Sequence, residues 1–111
     1  MEYNFVNTKQ HFKINGNDFF IDIGEVAVAE KAKALLESVK EENFFKSVSQ
    51  AIDGLFGEGS AGRIFEGVSH TNEIQVCKLA LEIGAAIGKR RVELLTVSFA
   101  NVTELAEPTI Q

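Results

Sequence analysis

The sequence predicts an α+β fold that is mainly α, with an N-terminal β-hairpin packed on three to four helices. Three observations predict it. Residues 11–23 alternate apolar and polar side chains on either side of Asn15-Gly16, the strongest short signal for a hairpin. From residue 24 the apolar positions switch to intervals of three and four, the period of a helix buried on one side. Residues 73–95 keep that period with an apolar arc over most of the circumference. Such a helix lies at the centre of a fold or against a partner. The 111 residues fit one domain.

The hairpin is expected at about residues 8–23. A two-residue loop at Asn15-Gly16 sets Ile14 opposite Asn17, Lys13 opposite Asp18, Phe12 opposite Phe19, His11 opposite Phe20 and Lys9 opposite Asp22. Opposite charges then share one face and the Phe12–Phe19 pair takes the other. A longer loop taking in Asn17 or Asp18 would shift this register. Tyr3-Asn4-Phe5-Val6 reads as a further short strand. A lone hairpin is marginal in water, so this one must pack on the helices.

Helices are expected at about 24–41, 43–56, 60–66 and 73–95. For the first, Asp22 with Glu25 three residues on resembles a capping box, and Val28, Ala32, Leu35, Leu36 and Val39 mark the apolar face. The second starts near Asn43, with Phe44, Phe45, Val48, Ala51, Ile52, Leu55 and Phe56 inward. Glu41-Glu42-Asn43 is a plausible break between the two, although it holds no Gly or Pro. Asn72, with Gln75 three positions later, caps the fourth. In that helix Ala80, Gly84 and Gly88 form a stripe of small residues, suited to tight core packing or to a dimer seam. Residues 96–111 read as a frayed tail, in which Thr96-Val97-Ser98-Phe99 either extends the helix or forms a short strand.

Between the second and fourth helices lies Leu55-Phe56-Gly57-Glu58-Gly59-Ser60-Ala61-Gly62-Arg63-Ile64-Phe65, which contains a literal G-x-G-x-x-G. A dinucleotide site needs a strand before that motif and an acid about 20 residues after it. Here helical spacing precedes it. A phosphate loop would need Gly-Lys-Ser/Thr where this chain has Gly62-Arg63-Ile64. The stretch instead reads as a two-step helix breaker. Gly57 ends one helix in a left-handed conformation, and Ser60 caps one more short turn.

Charge narrows the partners. The net charge is −5 and the pI is near 5.0, which disfavours nucleic acid. Lys89-Arg90-Arg91 is short and reads as a solvated segment near a helix end. The single cysteine, Cys77, allows no internal disulfide and suits a reducing compartment. No signal peptide and no membrane span is visible, so a cytoplasmic protein is expected.

No catalytic constellation emerges, and the chain is expected to be a non-enzyme without metal or cofactor. His70, Glu73 and Cys77 have the spacing of a helical ligand set, but a zinc site wants three or four ligands in closed geometry. A Cys77–His70 dyad would need a lowered thiol pKa. The candidate interaction residues are Phe44, Phe45, Ala80, Gly84 and Gly88, which offer apolar or closely approachable surface.

Lys13-Ile14-Asn15-Gly16, Ile52-Asp53-Gly54-Leu55-Phe56-Gly57-Glu58-Gly59 and the following Arg63-Ile64-Phe65 resemble the small tail assembly chaperone proteins of tailed bacteriophages, over most of residues 10–95. The resemblance implies a helical protein of the host cytoplasm. It would bind tape measure or tail tube subunits, keep them assembly-competent and form homo-oligomers. The reading from residues alone keeps open a small regulatory or ligand-binding module with an apolar pocket between hairpin and helices.

Overall fold

The structure, a computed structural model, describes the backbone of residues 1–110 and the side chains of residues 1–96. Two antiparallel strands, β1 (Lys9–Ile14) and β2 (Asn17–Asp22), are followed by four helices: α1 (Val26–Ser38), α2 (Phe44–Phe56), α3 (Ser60–Ile64) and α4 (Glu73–Ile110). The α+β, mainly α class is as the sequence predicts.

The hairpin has the register expected of a two-residue loop, from Ile14 opposite Asn17 to Lys9 opposite Asp22. Asn15 and Gly16 take φ of 49° and 79°, the positive pair that a tight primed turn requires. The buried face carries Phe19, Ile21 and Ile23, with Phe12 and Ile14 half-buried beside them. Phe56 of α2 fills the space over this face, 4.7 Å from Phe19 and 5.6 Å from Phe12 between ring centroids. On the solvent face, Asp18 accepts from His11 Nε2 at 2.6 Å, diagonally across the strands. Residues 3–6 are not a strand. Tyr3, Phe5 and Val6 are exposed, and the ladder extends past β1 by one further bond, Ile23 N–H to Thr8 O.

The turn also fastens the hairpin to the helices. Asn15 Nδ2 donates to Ile64 O at 2.9 Å and to Glu66 O at 3.4 Å, and Asn17 Nδ2 donates to Arg63 O at 3.4 Å. Carbonyls left without partners at the end of α3 are thereby satisfied.

Four helix ends in the first half of the helical region differ from expectation. Asp22 does not cap α1. Its carboxylate accepts from Thr8 Oγ1 and from the Gly24 amide, and Glu25 occupies the cap position without a side-chain bond. Those two bonds, the Thr8 hydroxyl first, hold the Asp22 pKa below the ordinary aspartate range. Helix α1 stops at Ser38, three residues short of the expected end, because Ser38 Oγ donates back to Leu35 O at 2.6 Å, a local bond that competes with the helical ladder. This separates α1 from α2 without Gly or Pro, and Asn43 Oδ1 then accepts from Lys46 N–H to cap α2. Gly57 has positive φ but is extended (φ 112°, ψ 154°); the left-handed residue is Gly59 (φ 87°, ψ −7°). Ser60 is fully buried and does not cap α3. Asp53, one turn from the end of α2, does so by accepting from Ala61 N–H at 2.8 Å. The glycine motif is thus a helix-to-helix connection.

Asn72 caps α4 as expected, its Oδ1 accepting from Gln75 N–H at 3.1 Å while its Nδ2 donates to Gln75 Oε1 at 2.9 Å. The helix runs to Ile110, past the expected end at residue 95. No Gly or Pro interrupts residues 89–107, so nothing local stops the helix before Pro108, which falls in its last turn. The frayed tail and the short strand expected after residue 95 give way to helix, and Gln111 lies outside the described residues. The core lies where α1, α2 and α4 meet: Leu35, Val48, Ile52, Val76, Ala80 and Ile87 are at most barely exposed.

Two substitutions check these joints. Gly57→Val places a β-branched residue at positive φ and should lower unfolding free energy by about 1–3 kcal/mol. Asn15→Gly keeps the turn and deletes only the amide bonds to α3, so it should cost about 1 kcal/mol. Urea titration followed by circular dichroism measures both.

Candidate interaction surface

Helices α1 and α4 cross at a place where α4 contributes no side chain. A Cβ on Gly84 would lie 2.6 Å from Leu36 Cγ and Cδ2 and 3.3 Å from Ala32 O. Gly84 therefore lets Leu36 lie directly on the α4 backbone. Beside this crossing runs a groove of about 310 Å³, bordered by Ala29, Lys33, Leu36, Gly88, Val92 and Leu95. Its lining is mostly aliphatic, with Lys33 and Arg91 supplying the charge.

Arg91 closes one end of the groove. Its guanidinium Nη1 donates to Ile23 O and, at 3.4 Å, to Glu25 O. The side chain ties the β2–α1 link to α4 across the molecule. This corrects the reading of Lys89-Arg90-Arg91 as a solvated segment near a helix end. The helix continues, Arg91 is half-buried, and only Lys89 and Arg90 face solvent, Arg90 pairing with Glu93 at 3.3 Å. Beyond Arg91 a smaller hollow of about 200 Å³ is lined by Val6, Thr8, Ile23, Gly24 and Leu95.

The five expected interaction residues divide. Ala80 and Gly84 are buried in the core, Ala80 completely. Phe44 is half-buried against that core. Phe45 stacks on His70 at 3.9 Å and packs against Phe65 at 5.6 Å, so it anchors the α3–α4 loop. Gly88 alone is exposed, on the wall of the groove. Of the apolar arc expected over residues 73–95, Ile74 and Leu81 lie not in the core with Cys77 and Ile87 but on the outer side of α4, as do Val92 and Leu95. Ile74, Leu81, Val92 and Leu95 are 76%, 44%, 62% and 54% exposed. The signal was present, because Lys78, Glu82 and Lys89 share that side and mark it as solvent-facing.

The titratable groups considered for catalysis have other roles. His70 is committed to the Phe45 stack. Cys77 is buried, and its thiol pKa is raised, first by burial and then by the Glu73 carboxylate. That is the opposite of the activated thiolate a nucleophile needs. Among the described residues no three His, Cys, Asp or Glu side chains are grouped to hold a metal ion. Nor is any helix there long and apolar enough to cross a membrane.

The chain matches no family model, no curated protein and no solved structure. The fold and surface define a class: a mainly α domain of α+β type whose last helix carries apolar side chains on both its inner and outer faces.

The Cys77 environment has a pH consequence. Its thiol ionises more readily in the unfolded chain, so its contribution to stability is full below about pH 8.5 and is lost as the pH rises beyond that. The urea midpoint should fall more steeply above that pH in the parent than in Cys77→Ala, which is measured by denaturation at stepped pH.

Proposed function

We propose that this chain is a non-catalytic interaction protein of the tail assembly chaperone kind. It binds tape measure or tail tube subunits in the host cytoplasm and keeps them competent to assemble. One observation carries this reading beyond the resemblance: large apolar side chains of α4 stand exposed along the rim of the α1–α4 groove. Leu81, Val92 and Leu95 leave 44%, 62% and 54% of their surface to solvent, and apolar area exposed together on one helix supports a surface that another polypeptide covers. A groove between two helices suits the apolar stripe of an amphipathic helix, and tape measure proteins are long and helical.

The alternative, a module for small ligands, is less well supported. The hollow beside Arg91, at about 200 Å³, falls below the range of roughly 300–1,000 Å³ usual for such sites, and the groove, at about 310 Å³, only just enters it. The groove lining is mostly aliphatic and offers few polar groups to orient a small ligand.

Titration calorimetry with a helical fragment of the tape measure protein from the same genome tests the proposal. Saturable binding is expected, weakened about tenfold or more by Val92→Glu, which places a charge on the groove rim. If neither the tape measure fragment nor the tail tube subunit binds, the reading is wrong.

A further inference from the structure

The exposed apolar residues of α4 are ordered along the helix. Leu81, Ala85, Gly88, Val92 and Leu95 follow at intervals of four, three, four and three residues. That is the heptad spacing of a helix paired lengthwise with another. Ile74 and Lys78 continue the line toward the N-terminal end. From Ile74 to Leu95 the line is about 32 Å long. All of these positions are exposed, while Val76, Ala80, Ile83 and Ile87 serve the core from the opposite side. The helix thus has two seams, one filled by α1 and α2 and one left open.

We propose that a second copy of this chain covers the open seam, with its α4 antiparallel to the first. Charge sets the direction. In antiparallel register Ala85 meets Gly88 of the second copy, Leu81 meets its Val92, and Lys78 lies along its Leu95. The positions flanking the seam then bring Glu82 of each copy to Lys89 of the other, forming two symmetric opposite-charge pairs. Parallel pairing would set Lys78 against Lys78 and place Glu82 and Lys89 opposite Cys77 and Gly84, with no charge complement. Small side chains at the two-fold axis let the helices approach closely. Leu81 of the second copy reaches the Gly88–Val92 wall of the groove, where a hole for it already exists. Among the described residues Glu82 pairs with Lys78, at 4.0 Å and in solvent, a contact weak enough to leave it available to the second copy.

This pairing is a property of the chain alone and does not rest on the proposed client. The same face serves both, so a second copy masks it until a client displaces that copy. Sedimentation velocity on the full chain over a wide concentration range should show a reversible dimer. Glu82→Lys and Lys89→Glu should each raise the dimer dissociation constant about tenfold, since both symmetric pairs become repulsive. An equimolar mixture of the two variants should recover the parent affinity as a heterodimer, seen by native mass spectrometry. Both residues are exposed, and circular dichroism confirms that the variants fold. A chain that stays monomeric at every concentration overturns the proposal. So does a dimer indifferent to both reversals, or a mixture that fails to recover. Client binding is read separately by calorimetry, so a dimer that binds no client refutes only the function, and a monomer that binds one refutes only the pairing.

Discussion

The structure depends on the close contact of α1 and α4 at Gly84. Helix packing distance is set by the side chains at the crossing point, and here one helix contributes none. With Leu36 against the α4 backbone, Ala32 and Leu35 of α1 reach the same core as Ile83 and Ile87 of α4. This fixes the rotation of α4 about its own axis. Once Gly84 faces α1, Ala80 and Ile87 must face inward, and Leu81, Ala85 and Val92 must face out. The open seam is therefore a consequence of the core, because one rotation assigns both sides.

Long-range polar contacts hold the remaining parts to this helix pair. Arg91 reaches Ile23 O and Glu25 O, and Asn15 reaches Ile64 O and Glu66 O. Each is a side chain donating to main-chain carbonyls at the end of an element, where such groups otherwise lack partners. The hairpin is clamped at its turn by α3 and at its exit by α4, while Phe56 fills the space between. A two-stranded sheet that is marginal alone thus becomes part of one core.

The hairpin was legible in the sequence down to its register, because a two-residue loop leaves one pairing that puts Phe12 and Phe19 together. Asn72 was legible as a cap for a similar reason, the bonded amide lying three residues on, and the start of α2 was legible near Asn43. What escaped reading depends on tertiary context. Asp22 has the spacing of a capping box, but Thr8 and Gly24 compete for its carboxylate. Ala61 N–H is served by Asp53, eight residues earlier, a distance at which no local rule operates. The faces of α4 were illegible because apolar residues occur around most of it. Periodicity identifies an inner face only by contrast with a polar one. The charged residues Lys78, Glu82 and Lys89 supplied that contrast, although apolar residues between them diluted it.

Length explains why the contrast is weak. Helices α1 and α2 have 13 residues each and α4 has 38, so the two shorter helices extend about 20 Å and the long one about 57 Å. No short helix can shield all of one so much longer, and α1 and α2 both lie on its inner side. An apolar side chain on the outer side is therefore left without cover from α1 or α2. A helix selected only to complete this core could carry polar residues at positions 81, 92 and 95, where about half of each side chain faces solvent. Leu81, Val92 and Leu95 stand there instead, in register with one another and flanked by charges of both signs. Core packing explains Ala80, Ile83 and Ile87, whereas Leu81, Val92 and Leu95 stay 44%, 62% and 54% exposed. That exposure is the observation on which the proposed contact with another polypeptide rests.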